Sequence, residues 1–144
     1  RQTLDNHVMA IDMETGETLW KQLASDWQEG YTMTGTPLMA NGVLITGTAG
    51  GDMGTRGFLD GWNPETGEKL WRFWTTAAPG EPGGDTWEGD TYLRGGGATW
   101  LAGSYDPELN LVYWGLGNPG PWNANMRPGD NLYTDTIALC ERGA

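Results

Sequence analysis

A repeated segment restricts the fold of this chain more than any other feature. Ala10-Ile11-Asp12-Met13-Glu14-Thr15-Gly16-Glu17-Thr18-Leu19-Trp20 is matched by Gly61-Trp62-Asn63-Pro64-Glu65-Thr66-Gly67-Glu68-Lys69-Leu70-Trp71, with the closing tryptophans 51 positions apart. A third copy opens at Ala138-Leu139-Cys140-Glu141-Arg142-Gly143 and breaks off. Each copy has one logic: a short apolar strand, a polar turn closed by a glycine able to take positive φ, and a second strand ending in a large aromatic. That is a hairpin.

One hairpin cannot bury its own apolar faces, so the copies must pack on one another. An open stack exposes strand edges, whereas radial repetition of four-stranded blades leaves only short, protected ones, which favours a propeller over a sandwich. The 24 glycines, eight prolines and nine tryptophans fit many short strands joined by tight turns, and an all-β fold is expected. Strands are expected near His7 to Asp12, Thr18 to Gln22, Thr36 to Met39, Val43 to Thr46 and Gly57 to Trp62 in a first unit. A second unit is expected to hold Lys69 to Trp74, Trp100 to Tyr105, Leu111 to Gly115 and Tyr133 to Leu139. The turn glycines of successive copies lie 51 and then 76 positions apart, so the second unit carries extra residues. These fall in Thr75 to Gly97 and Gly115 to Asp130, and long loops on a rigid scaffold are where function usually sits.

A net charge of -11 argues against a nucleic-acid or anionic-membrane surface, which needs clustered Lys and Arg. No apolar run approaches the roughly 20 residues that span a bilayer, so no integral membrane segment is expected. Cys140, the single cysteine, has no internal disulfide partner and reads as a packed strand residue. His7, the single histidine, reads as structural, since a zinc site needs more ligands. Asp85, Glu88 and Asp90 read as solvated charges, and Asp106-Pro107 and Arg127-Pro128-Gly129-Asp130 as turn chemistry. A chain that opens on Arg1 and stops inside a repeat is expected to be truncated at both ends.

Three segments outside the repeat point to chemistry. Gly47-Thr48-Ala49-Gly50-Gly51-Asp52-Met53-Gly54-Thr55-Arg56-Gly57 is a glycine-rich loop with one carboxylate, and it lacks the Lys-Ser/Thr ending of a phosphate loop. Arg94-Gly95-Gly96-Gly97-Ala98-Thr99-Trp100 sets three glycines before a tryptophan, an arrangement expected to clear the approach of a planar ligand to that ring. Gly115-Leu116-Gly117-Asn118-Pro119-Gly120-Pro121-Trp122-Asn123 fixes Asn118 in a stiff loop, where its amide oxygen suits a hard cation.

Together with Pro82-Gly83-Gly84-Asp85-Thr86-Trp87 and Ser104-Tyr105-Asp106-Pro107-Glu108-Leu109-Asn110-Leu111, these segments resemble the quinoprotein alcohol and methanol dehydrogenases. Those enzymes depend on pyrroloquinoline quinone (PQQ). The repeat also resembles the family's tryptophan-docking motif, Ala-x-Asp-x-x-Thr-Gly-x-x-x-Trp. The first copy fits it throughout, whereas the second has Gly61 and Asn63 in place of Ala and Asp. The resemblance implies one partial domain over residues 1–144, with copies starting near 10, 61 and 138, about two to three blades of an eight-bladed propeller.

It further implies that Trp100 forms the floor under PQQ and that Asp52 and Asn118 coordinate a cation, Ca²⁺ or a lanthanide. Thr34, Ala49, Gly50 and Gly51 would line the cofactor pocket. The sequence departs from the family at Asp52, where Glu is usual, and at Ala49, where Ser is common. The shorter carboxylate is retracted by one methylene, and the missing hydroxyl removes a hydrogen bond of about 0.5 to 1.5 kcal/mol. The implied reaction is oxidation of an alcohol by hydride transfer to the quinone, with electrons passing to a cytochrome c-type acceptor in the periplasm. The carboxylate base is implied beyond Ala144, and the vicinal disulfide and a PQQ-binding arginine before Arg1. No catalytic residue is therefore expected in this chain, which should not turn over alone. The alternative reading is a non-catalytic PQQ-repeat propeller that binds proteins.

Overall fold

The structure, a computed structural model, describes residues 1–141, and the turn expected at Arg142-Gly143 lies outside the described residues. Nine strands form three antiparallel sheets there. The first pairs β1 (His7–Ile11) with β2 (Thr18–Leu23), and the second holds β3 (Leu38–Ala40), β4 (Val43–Gly47), β5 (Phe58–Trp62) and β6 (Lys69–Trp74) in sequential order. The third holds β7 (Ser104–Asp106), β8 (Leu111–Gly115) and β9 (Ile137–Glu141). A repeat copy therefore supplies the last two strands of a sheet, and the boundary between sheets falls after β2, inside the stretch that pattern alone grouped from His7 to Trp62.

Three strands differ from expectation, each for a backbone reason. The third begins at Leu38, after Pro37, which has no N–H for a ladder. The strand expected from Trp100 is confined to Ser104–Asp106, because the preceding backbone bonds to a loop, Thr99 N–H donating to Thr48 O at 2.9 Å. The strand expected from Tyr133 starts at Ile137, because Asn131 to Thr136 folds into turns tied down by Tyr133 N–H to Thr75 O at 3.1 Å.

The two complete repeat hairpins share their turn bonds from backbone amides, and the first has one more, from Thr15 Oγ1 to Asp12 Oδ1 at 3.0 Å. Asp12 Oδ1 accepts from the Glu14 and Thr15 amides at 2.9 and 2.8 Å, and Asn63 Oδ1 accepts from the Glu65 and Thr66 amides at 2.9 and 3.2 Å. An amide oxygen serves as well as a carboxylate here, which accounts for Asn63 where the motif has Asp. The other departure, Gly61, pairs with Trp71 across the sheet, and the Trp71 ring lies so close that a β-carbon on Gly61 would sit 2.1 Å from it. Trp20 crosses to the next sheet. Its indole N–H donates to Pro64 O at 2.9 Å, and its ring covers Gly67, whose φ of +74 and lack of a side chain admit it.

Strand β5 is buried along its whole length because it is packed from both sides. Phe58 and Trp62 join Val8, Ala24 and Met33 in the core against the first sheet, while Leu59 joins Ala40, Ile45, Val112 and Trp114 in the core against the third. Cys140 packs against that second core, and burial pushes its thiol up. Between Phe58 and Trp62, on the same face, the fully buried Asp60 receives Arg72 through two 2.6 Å bonds and Lys69 at 3.2 Å. Both cations also donate to Ala24 O, so the cluster ties the second sheet to the end of β2. A buried carboxylate of this kind persists only when its oxygens are paired.

Candidate functional site

Antiparallel order gives each sheet two unlike edges. One edge carries the tight turns Asp12 to Glu17, Asn41-Gly42, Asn63 to Glu68 and Pro107 to Asn110. The other gathers the start of β3, the end of β4, the start of β5, the end of β6, the start of β7, the end of β8 and the start of β9. Its connections are long, and every residue singled out from the sequence for cofactor or cation binding lies on them.

Backbone bonding sets these loops side by side. The segment Gly95 to Thr99 threads between the loop after β4 and the loop after β8. Gly96 bridges Arg56 in parallel and Pro119 in antiparallel fashion. Gly57 N–H donates to Gly96 O at 2.7 Å, Gly97 N–H to Asn118 O at 3.0 Å and Gly117 N–H to Ala98 O at 2.8 Å. The glycine triplet is thereby explained, though not as clearance in front of Trp100. A β-carbon on Gly95 would lie 2.6 Å from the Trp87 ring, one on Gly96 2.7 Å from Asn118 O and one on Gly97 2.7 Å from Thr75 Oγ1. These glycines are buried and let three chains approach.

Trp100 follows this segment with its side chain half exposed. Gly35 packs on its carbonyl, where an added β-carbon would stand 3.0 Å away, so Thr34 is brought next to Trp100 along the chain. Thr32 bridges Ala49, whose N–H donates to Thr32 O at 2.7 Å. Gly51 is buried against the Ala98 side chain. Thr34, Ala49, Gly50, Gly51 and Trp100 thus belong to one knot of three segments.

Asp52 and Asn118, 66 positions apart, meet. Asn118 Nδ2 donates to Asp52 Oδ1 at 3.3 Å and to Pro119 O at 3.2 Å. A second donor, missed from the sequence, joins them: Trp122 Nε1–H reaches the same Asp52 oxygen at 3.0 Å. A cavity of about 790 Å³ opens beside Asp52, lined also by Glu29, Tyr31, Asp90 and Arg94. Arg56, four residues on from Asp52, is held between the rings of Trp74 and Tyr92 at 4.5 and 4.9 Å and bonds to Thr76, and burial lowers its pKa. Asp85, Glu88 and Asp90 are exposed, as expected of solvated charges.

A carboxylate beside an amide is the donor chemistry of a hard cation, and it covers part of a shell of six to eight oxygens. Among the described residues no three His, Cys, Asp or Glu side chains gather in a metal-sized group. The pair therefore fits a cation whose remaining ligands come from elsewhere. Half a turn of the Asn118 amide exchanges N for O and presents the oxygen beside Asp52.

Sheets joined by a tryptophan of one hairpin seated on the turn of the next define the class, a segment of an all-β propeller. The family model described as the glucose/ethanol/alcohol dehydrogenase β-propeller domain (PQQ) matches residues 21–140. Quinoprotein alcohol dehydrogenase PedH of Pseudomonas putida is 42% identical over 93% of this chain and 25% of its own length. Methanol dehydrogenase (cytochrome c) subunit 1 of Methylobacterium organophilum is also 42% identical, over 93% of this chain and 24% of its own. A europium-containing methanol dehydrogenase superposes with a TM-score of 0.92 at 35% identity, covering 97% of this chain and 28% of that one. The chain belongs to the PQQ dehydrogenase β-propeller family and spans about a quarter of the length of the curated relatives it matches.

Proposed function

We propose that this chain is the segment of a PQQ-dependent alcohol dehydrogenase that carries part of the cofactor and cation site. The observation that carries the reading is the meeting of Asp52 and Asn118 at 3.3 Å on the loop edge, with Trp100 directly following the segment that Gly96 bridges to both of their loops. Bound here, PQQ would supply a quinone able to take up hydride from an alcohol, and the cation would supply a Lewis acid. The half-exposed Trp100 ring offers a flat face for the cofactor. Thr34, Ala49, Gly50 and Gly51 are assigned as small groups around the cofactor, with Gly51 also lining the cavity beside Asp52, and Asp52 with the turned Asn118 amide is assigned to hold Ca²⁺ or a lanthanide. No residue of this segment is assigned as the base that takes the hydroxyl proton, and the segment alone is not expected to turn over.

A cytochrome c-type acceptor and a periplasmic location belong to the same reading. The relative named for cytochrome c supports the first, and the charge of -11 suits a cationic partner. No helix among the described residues is long and apolar enough to cross a membrane. The test uses the full-length protein freed of cofactor, titrated with PQQ plus Ca²⁺ or La³⁺ while tryptophan fluorescence and dye-linked alcohol oxidation are followed. Quenching that is lost in Trp100→Ala, with oxidation that needs both additions, is the expected result. Neither quenching nor oxidation would turn the assignment to the non-catalytic, protein-binding propeller.

A further inference from the structure

Trp122 is an unusual residue to leave in water. Its side chain is 76% exposed, yet the backbone on both sides of it is built with care. Asn123 Oδ1 caps the helical turn Ala124–Met126 by accepting from Asn125 N–H at 3.1 Å. Arg127 folds back to donate to Pro121 O at 2.7 Å and to Trp122 O at 3.5 Å, and its third bond goes to Asn131 Oδ1 at 2.7 Å. Asn131 is itself buried and donates to Thr86 O. The chain on which Trp122 stands is therefore anchored to the neighbouring loop, and its indole N–H is aimed at one atom, Asp52 Oδ1, at 3.0 Å.

We infer that Trp122 is a positioning residue for Asp52: its indole N–H fixes the orientation of the carboxylate that takes the cation. This rests on the reading of Asp52 as a cation ligand. The physical need comes from the shortness of the side chain. A ligand must hold its oxygen at a set place before the ion arrives, and partners outside the ligand shell commonly change metal affinity by about 10- to 100-fold. Asn118 cannot hold Asp52 alone while turning its oxygen to the same ion. Trp122 donates only and has no lone pair to offer, so it orients Asp52 without competing as a ligand.

The test measures cation binding to the full-length, cofactor-free protein by titration calorimetry with La³⁺ and Ca²⁺, with no turnover required. Trp122→Phe keeps a ring and removes the N–H, and the dissociation constant is expected to rise about tenfold. Trp122→His, whose Nε2–H can occupy the place of the indole N–H, is expected to return to within about threefold of the parent. In an Asp52→Glu background, where the carboxylate moves along by a methylene, Trp122→Phe is expected to change affinity by less than about threefold. Unchanged affinity in Trp122→Phe, or equal losses in the Phe and His variants, overturns the inference. If Asp52→Ala itself leaves cation affinity unchanged, the ligand reading of Asp52 fails, and that outcome is distinct from the others.

Discussion

On the turn edge, the polar side chains that shape the chain reach two or three residues: Asp12 to Glu14 and Thr15, Asn63 to Glu65 and Thr66, Asp106 to Glu108 and Leu109. On the loop edge, Asn118 and Trp122 reach back 66 and 70 positions to one carboxylate. The same strands feed both edges. What differs is whether a bond closes a turn or joins two chains, so the first edge builds and spaces the sheets while the second brings distant chemistry together.

If that division holds, substitutions on the two edges separate stability from binding in the full-length protein. The largest stability loss is expected from Gly67→Ala, which places a β-carbon 2.7 Å from the Trp20 ring at a φ of +74. Denaturant unfolding should show about 3 kcal/mol lost, with cation affinity unchanged once folded. Asp52→Ala should do the reverse. Its cation dissociation constant is expected to rise at least about 100-fold, while unfolding free energy stays within about 0.5 kcal/mol, as for an exposed site. A comparable loss of stability in Asp52→Ala would break the division.

Smaller changes sharpen it. Trp20→Phe removes the bond to Pro64 O and keeps most of the ring, and a loss of about 1 kcal/mol is expected in the same unfolding assay. The smallest effect concerns pH. Hydrogen bonds from Thr15, then Glu14, hold the Asp12 carboxyl below its ordinary value. Its contribution is present above the unfolded-state pKa and is lost as pH falls through the lowered folded value. Asp12→Asn, which copies Asn63 of the next hairpin, should leave stability near neutrality almost unchanged and flatten that acid limb in melting temperature against pH.

The hairpins were legible in the sequence because their information is local: a Thr-Gly turn and a closing tryptophan occupy a dozen residues. Pairing a copy's two strands was equally local, but deciding which copies share a sheet was not, since Trp20 belongs to one sheet and seats on the next. The candidate site was legible in its parts. Asp52, Asn118 and Trp100 stand out as residue types in stiff loops, and the structure sets their segments together. The glycine triplet shows the limit of such reading, because missing side chains announce a close approach without saying what approaches. Here it is the Trp87 ring, Asn118 and Thr75 rather than a ligand on Trp100. Trp122 carried no local signal at all, since its partner lies 70 positions back.

Gly96 is held from both sides, by the chain that bears Asp52 and by the chain that bears Asn118. The separation of those two side chains is thus set by a strip of peptide groups rather than by the side chains' own neighbours. Such a strip works like the rung of a ladder: it keeps the rails at one gauge whatever is hung on them. Outer stretches such as Glu88 to Leu93 and Ala124 to Met126 can then vary in length and character, reshaping the mouth of the cavity, without altering the grip on whatever lies between the rails.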